Sequence, residues 1–105
     1  MTNTVLVLTT VADGERAEWI ARALVNERLA ACVNVHGSMA SFYRWKGAVE
    51  REVERQLVIK TTRERLPALE ARLKALHGYE LPEFVVVPIE SGSAAYLGWL
   101  VESVD

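Results

Sequence analysis

The chain has 105 residues and a single cysteine, Cys32, so no disulfide can close within it. That suits a reducing compartment. Histidine is also scarce, with only His36 and His77 to join Cys32 as soft or borderline ligands. A structural zinc site needs about four clustered Cys or His ligands, so one chain cannot supply it. Three prolines and six glycines leave no Gly/Ser linker or low-complexity tract, and residues 1–105 read as one domain. Long apolar runs are missing too. The stretch Val5 to Leu8 is too short for a membrane span or a signal-peptide core, and no basic residue precedes it. A cytoplasmic protein with no membrane association is expected. Neither charge sign is in excess: 12 basic and 14 acidic residues give a net charge of −2. A general nucleic-acid binder needs a basic face for phosphates, so no nucleic-acid partner is expected.

What is abundant is apolar matter. Half the residues are hydrophobic and 25% are charged, the upper end for a small soluble domain. Such a chain tends to bury some of that surface against a partner.

The pattern along the chain gives an order of elements. Val5 to Thr10 is a continuous, partly β-branched run, the mark of a strand near a sheet centre. Asp13-Gly14 marks a turn, with Asp13 placed to cap the following helix. Ala17, Ile20, Ala21 and Leu24 then form an apolar helical stripe. Residues 31–45 read as one long strand with a bulge near Gly37. Lys46 to Glu50 connects it to a strand over Glu52 to Thr61, longer than the usual five or six residues. The hairpin should therefore project beyond the body. A second helix runs from Glu64 to Leu76, with Leu66, Leu69, Leu73 and Leu76 on one face, Pro67 in its first turn and Gly78 at its C-cap. Phe84 to Ile89 is the last strand, with Pro88 at an edge. Ser93 caps a short helix carrying Tyr96, Trp99 and Leu100 on one face. The order is that of an α+β, ferredoxin-like βαββαβ sandwich with a long β-hairpin and a short C-terminal helix. Both main helices take one sheet face, and the other face needs a cover, most simply another copy of the chain.

This fold does not specify a function, so the chemistry must come from the residues. The phosphate-binding patterns GxxxxGK[ST] and GxGxxG are missing. The loop from Thr10 to Gly14 has no arginine, against an acylphosphatase-like site. The Val5–Thr10 and Glu52–Thr61 strands have no aromatics, against RNA stacking. Cys32 and His36 sit ~13 Å apart along a strand, too far to form a nucleophile–base pair. Cys32 reads as a small core residue. The densest polar cluster is His77-Gly78-Tyr79-Glu80-Leu81-Pro82-Glu83, which reads either as a helix cap and turn or as a metal or small-ligand site. Phe42-Tyr43-Arg44-Trp45 reads as hairpin packing or an interface. No enzyme active site is expected.

Several stretches together resemble the CutA family of divalent-cation tolerance proteins. They are Leu29-Ala30-Ala31-Cys32-Val33-Asn34, Ser41 to Gly47, Ile59-Lys60-Thr61-Thr62, His77 to Glu83, Pro88-Ile89 and Tyr96-Leu97-Gly98-Trp99-Leu100. The resemblance implies a ferredoxin-like homotrimer, similar in architecture to PII signalling proteins, with a link to copper tolerance and copper binding in some members. It implies a ligand cleft between subunits lined by Lys60, Tyr79, Glu80, Pro82 and Glu83, and subunit contacts through Tyr43, Trp45 and Trp99. Metal-binding members carry a cysteine at the end of the first strand and two consecutive histidines before the turn. Here those places hold Thr9 and Thr10, then Leu76 and His77. Only His77 remains as a metal ligand of that set, beside the hard oxygens of Glu80 and Glu83. The implied function is non-catalytic divalent-cation (copper) tolerance, with no cofactor required and a Cu or Zn ion as a candidate ligand of the cleft. The alternative is a PII-like signalling or scaffold trimer acting through protein partners.

Overall fold

The computed structural model describes residues 3–105. Five strands and three helices follow in chain order: β1 (Thr4–Ala12), α1 (Arg16–Asn26), β2 (Cys32–Val35), β3 (Met39–Trp45), β4 (Ala48–Thr62), α2 (Leu66–His77), β5 (Val85–Pro88) and α3 (Ala94–Ser103). The strands form one antiparallel sheet in the order β2-β4-β1-β5, and β3 pairs with the free half of β4. This is the expected ferredoxin-like arrangement, with β1 central and β5 at an edge.

β4 sets the shape. It has 15 residues, and β1 pairs only with Glu54 to Thr62. The rest of β4 pairs with β3 alone, so the hairpin extends past the four-stranded body. The molecule is accordingly elongated, 44 × 25 × 24 Å. Val35 opposes Leu57 and Met39 opposes Glu54. Three residues, His36 to Ser38, thus face two on β4, which is the bulge expected near Gly37. The connection at the far end is shorter than the Lys46–Glu50 segment expected. Lys46 and Gly47 alone make it, with φ of 49° and 84°. Two positive φ values match a two-residue turn whose twist suits the paired strands. That tight turn lets Ala48 begin β4 at once.

α1 and α2 lie on one sheet face. Ala17, Ile20 and Leu24 of α1, and Leu69, Leu73 and Leu76 of α2, close over Val7, Val11, Leu57 and Ile59. All of these are at most 6% exposed. The α1 cap differs from expectation. Glu15 holds the N-cap position without a side-chain hydrogen bond. The Asp13 carboxylate is engaged elsewhere, accepting a 2.7 Å hydrogen bond from Ser38 Oγ that ties the bulge to the β1–α1 loop. The second helix starts as a 3-10 turn over Arg63–Arg65 and becomes α-helical at Leu66, with Pro67 in the first turn. Ser93 caps α3 as read from the sequence, its Oγ accepting from the Tyr96 amide.

The opposite sheet face is covered only at one end. There α3 buries Leu100 and Val104 beside Thr4 and Thr62, and Arg65 Nε donates to the Val104 carbonyl at 2.6 Å. Elsewhere Leu6, Leu8 and Val58 are only half-buried, and Val85 and Val87 are 46% and 36% exposed. Cys32, expected in the core, is half-buried on this face instead, in register with Lys60. Tyr96 and Trp99 form a tilted ring pair, both exposed, while Leu100 of the same helix points inward.

Gly78 ends α2 at φ 95°, and a Cβ there would lie 3.3 Å from the Arg16 guanidinium carbon. Gly78→Ala therefore meets a left-handed backbone and a close neighbour together, and should lower stability by about 1–2 kcal/mol in urea denaturation. Lys46→Asn, a residue suited to positive φ, should leave stability equal or slightly raised in the same measurement.

Candidate functional site

The His77–Glu83 turn follows directly from how β5 ends. β5 pairs with β1 only from Val5 to Leu8. The Thr4 carbonyl accepts from Ile89 N–H on that side. Strand alternation places the Thr10 carbonyl on the same side, beyond the last β5 partner. An unpaired buried carbonyl is costly. His77 fills the gap: its Nε2 lies 2.7 Å from Thr10 O and 3.2 Å from Thr9 Oγ1. Because a carbonyl can only accept, Nε2 carries the proton and donates.

His77 is 1% exposed, and its Nδ1 is buried without a hydrogen-bond partner. Burial lowers its pKa below the ordinary histidine value; the hydrogen bond to Thr10 O opposes this, and nearby Arg16 adds to the lowering. The imidazole is therefore held neutral. Its ring packs against Tyr79 at 4.7 Å between centroids. Arg16 Nη1 donates to the Leu76 carbonyl at 2.6 Å, closing the end of α2.

Tyr79 reaches across the free edge of β1 to β4. Its hydroxyl donates to Glu54 Oε2 at 2.7 Å. Glu54 is 5% exposed and was not singled out in the sequence. Its one signal there is alternation, because Glu50, Glu52 and Glu54 share one face of β4. Burial, then the adjacent Glu54 carboxylate, pushes the Tyr79 phenol well above its ordinary pKa. Burial and the three glutamates raise that of Tyr43 as well. Tyr79 thus acts as a hydrogen-bond donor that stays protonated.

The remaining candidates are spread out. Glu80 is exposed, and Pro82 and Glu83 are half-exposed in the same loop. Lys60 is not with them in one protomer. It stands six residues from Glu54 along β4, roughly 20 Å, with its ammonium 3.4 Å from Tyr96 Oη and 5.7 Å above that ring. Among the described residues no group of three or more His, Cys, Asp or Glu is placed to hold a metal ion. His77 has one nitrogen committed to the backbone and the other enclosed. Tyr43 and Trp45 sit on the hairpin arm, and Trp99 lies on the outer side of α3. Among the described residues no helix is long and apolar enough to cross a membrane.

Residues 5–103 match the family described as CutA1 divalent ion tolerance protein. A Thermus thermophilus relative named divalent-cation tolerance protein CutA is 50% identical over 98 residues, covering 93% of this chain and 95% of that protein. A rice relative named Protein CutA 1, chloroplastic, is 39% identical over 99 residues, covering 94% of this chain and 56% of that protein. The crystal structure of CutA from Xylella fastidiosa superposes with a TM-score of 0.95 at 42% identity, covering 99% of this chain and all of that one.

Two outcomes test this geometry. Tyr79→Phe leaves the buried Glu54 carboxylate without its donor and should cost about 1–3 kcal/mol, measured by urea denaturation. The His77 prediction concerns pH. The folded pKa lies below that of the unfolded chain, so falling pH protonates the unfolded chain first. The contribution of neutral His77 is complete above about pH 6.5 and is lost as pH falls through the folded value. Its slope reaches at most about 1.4 kcal/mol per pH unit. Denaturation at pH 7.5 and 5.5 should show this loss in the wild type and a smaller loss in His77→Gln.

Proposed function

The chain belongs to the CutA1 divalent ion tolerance protein family, and from that premise we propose that it serves divalent-cation tolerance without catalysis, as a homotrimer with a cation or small-ligand site in the clefts between subunits. The observation that carries this reading is the apolar surface left bare by one protomer. Val85 and Val87 on the sheet, Trp99 and Tyr96 on α3, and Phe42, Val49 and Val53 on the hairpin are all more than a third exposed. Copies of the chain packed around the sheet face and the hairpin would cover them.

The same assembly answers the scattered candidate residues. Lys60 and the Tyr79–Glu83 turn are separated within one protomer, so a cleft containing both takes them from different copies. In this reading a divalent cation such as Cu(II) or Zn(II) is held by carboxylates of the turn, with exposed Glu80 and half-exposed Glu83 the first candidates. His77 supports the turn rather than ligating the ion, because its donor proton is used on Thr10 O and its lone pair is enclosed. Nothing in the turn pairs a nucleophile with a base of suitable pKa: the phenol is held protonated and the imidazole faces a carbonyl. A non-catalytic role accords with that geometry. The free Cys32 accords with a reducing, cytoplasmic location.

Sedimentation equilibrium at micromolar concentration should give three copies of the 11.7 kDa chain. A lone 11.7 kDa species would overturn the reading. Calorimetric titration with Cu(II) and Zn(II) tests the cation. Binding lost in Glu80→Gln/Glu83→Gln and kept in folded His77→Ala is the expected result, and no binding heat in the wild type would overturn it.

A further inference from the structure

Glu54 stands where the hairpin leaves the body. It is the last β4 residue paired with β1, opposite Ala12, and the first paired with β3, opposite Met39. Among the described residues β4 has β3 alone beyond this point, so the direction of the ribbon is set at this root. Groups from other segments brace it. In the β1–α1 loop, the Asp13 carboxylate accepts from Ser38 Oγ at 2.7 Å, and the Asp13 N–H donates to the Val53 carbonyl at 3.3 Å. Arg55 Nε donates to the His36 carbonyl at 2.9 Å, and its Nη1 lies 3.4 Å from the Gly14 carbonyl and 3.8 Å from the Glu18 carboxylate of α1. From the turn after α2, Tyr79 Oη donates to Glu54 Oε2 at 2.7 Å.

These ties differ in weight. The side-chain bonds of Asp13 and Arg55 are exposed to water, where a hydrogen bond or ion pair contributes little. The Tyr79–Glu54 bond is charge-assisted, and its carboxylate is 5% exposed. Such bonds are roughly twice as strong as neutral ones. Separating this pair leaves a buried carboxylate without its donor, which is costly. The Tyr79 phenol therefore stays with the hairpin root. Tyr79 also directly precedes Glu80, while His77 is fixed on the Thr10 carbonyl. The carboxylates of the turn thus hang from a segment tied at one point to β1 and at another to the root of the hairpin.

We infer that the Tyr79–Glu54 hydrogen bond is a latch that links the ligand rim of the turn to the root of the hairpin, with Glu54 as its positioning residue. Closed, the latch holds Glu80 and Glu83 in the arrangement that binds a divalent cation. A cation on that rim in turn holds the latch closed and the hairpin root in place. The inference rests on the cation reading above and adds how that site is organised and what its occupancy changes elsewhere. The coupling is reciprocal: whatever factor the latch contributes to cation affinity, the cation contributes to closure of the latch.

The test uses the full chain with Zn(II) as the probe, in wild type, Tyr79→Phe, Glu54→Gln and Tyr79→Phe/Glu54→Gln. Calorimetry gives the affinity, urea denaturation the stability, and amide exchange followed by NMR the opening of the root at residues 39–41 and 52–54. Tyr79→Phe should bind Zn(II) about tenfold more weakly. Glu54→Gln keeps an oxygen acceptor for the phenol and should lose less. The double variant no longer buries an unpaired carboxylate, so its stability should return toward wild type while its affinity stays within about twofold of Tyr79→Phe. With Zn(II) at about ten times its dissociation constant, exchange at the root should slow roughly tenfold in wild type and by less than about twofold in Tyr79→Phe. Tyr79→Phe binding as tightly as wild type, or affinity recovering together with stability in the double variant, overturns the latch and leaves the cation site standing. Root exchange unmoved by Zn(II) in a wild type that binds it overturns the latch as well. A wild type that binds no Zn(II) removes the cation reading itself, and the latch with it.

Discussion

One strand is longer than the neighbours available to it, and most of the molecule follows from that mismatch. Among the described residues β4 is the only strand that pairs with β1, β2 and β3, and its 15 residues outrun the nine of β1. Over Leu57 and Ile59 it lies under the two main helices and forms the core floor. Over Ala48 to Val53 it has β3 on one side and, among the described residues, no strand on the other. A two-stranded ribbon of this kind is marginal alone in water. It persists here as the extension of a well-packed strand, with the Lys46-Gly47 turn fixing its register. The cost is an edge and two faces left open, which the proposed association with further copies would cover.

A second mismatch, the short β5, accounts for the His77–Glu83 turn. Because β5 stops opposite Leu8, the Thr10 carbonyl needs another donor, and His77 supplies it. Tyr79 then anchors the outgoing loop on Glu54. The turn is thus a backbone-completing device whose outer rim, Glu80 to Glu83, is free to meet a ligand or another subunit. These two roles account for why His77 and Tyr79 stand together in the turn.

The legible features were those that side-chain period and turn chemistry dictate. The leucine stripe of α2, Pro67, Gly78 and the Ser93 cap all fell where spacing placed them, and the bulge near Gly37 appeared as a one-residue offset in register. Local spacing assigns Asp13 as a cap, whereas a serine in the distant bulge takes its carboxylate, and tertiary pairings of that sort leave no local trace. The full extent of β4 is not legible because Ala48-Val49-Glu50 resembles a connection in composition, while the positive φ values at Lys46 and Gly47 confine the turn to two residues. Glu54 is marked in the sequence by nothing beyond its alternation with Glu50 and Glu52, since its importance depends on a phenol arriving from 25 positions away. Cys32 looked like core because it follows two alanines, yet the face it occupies is the one a single protomer leaves uncovered.

The central claim is that this uncovered surface is internal to an assembly. Amide hydrogen exchange, followed residue by residue along β3, examines it most directly. In a lone protomer the β3 amides that point away from β4 face no further strand among the described residues and exchange near the rate of unstructured backbone. The account predicts strong protection of both sets of β3 amides at micromolar protein, with the outward set released selectively when copies are separated by dilution or mild urea. Outward β3 amides that exchange freely at all concentrations, while the β1 and β4 core remains protected, would contradict it.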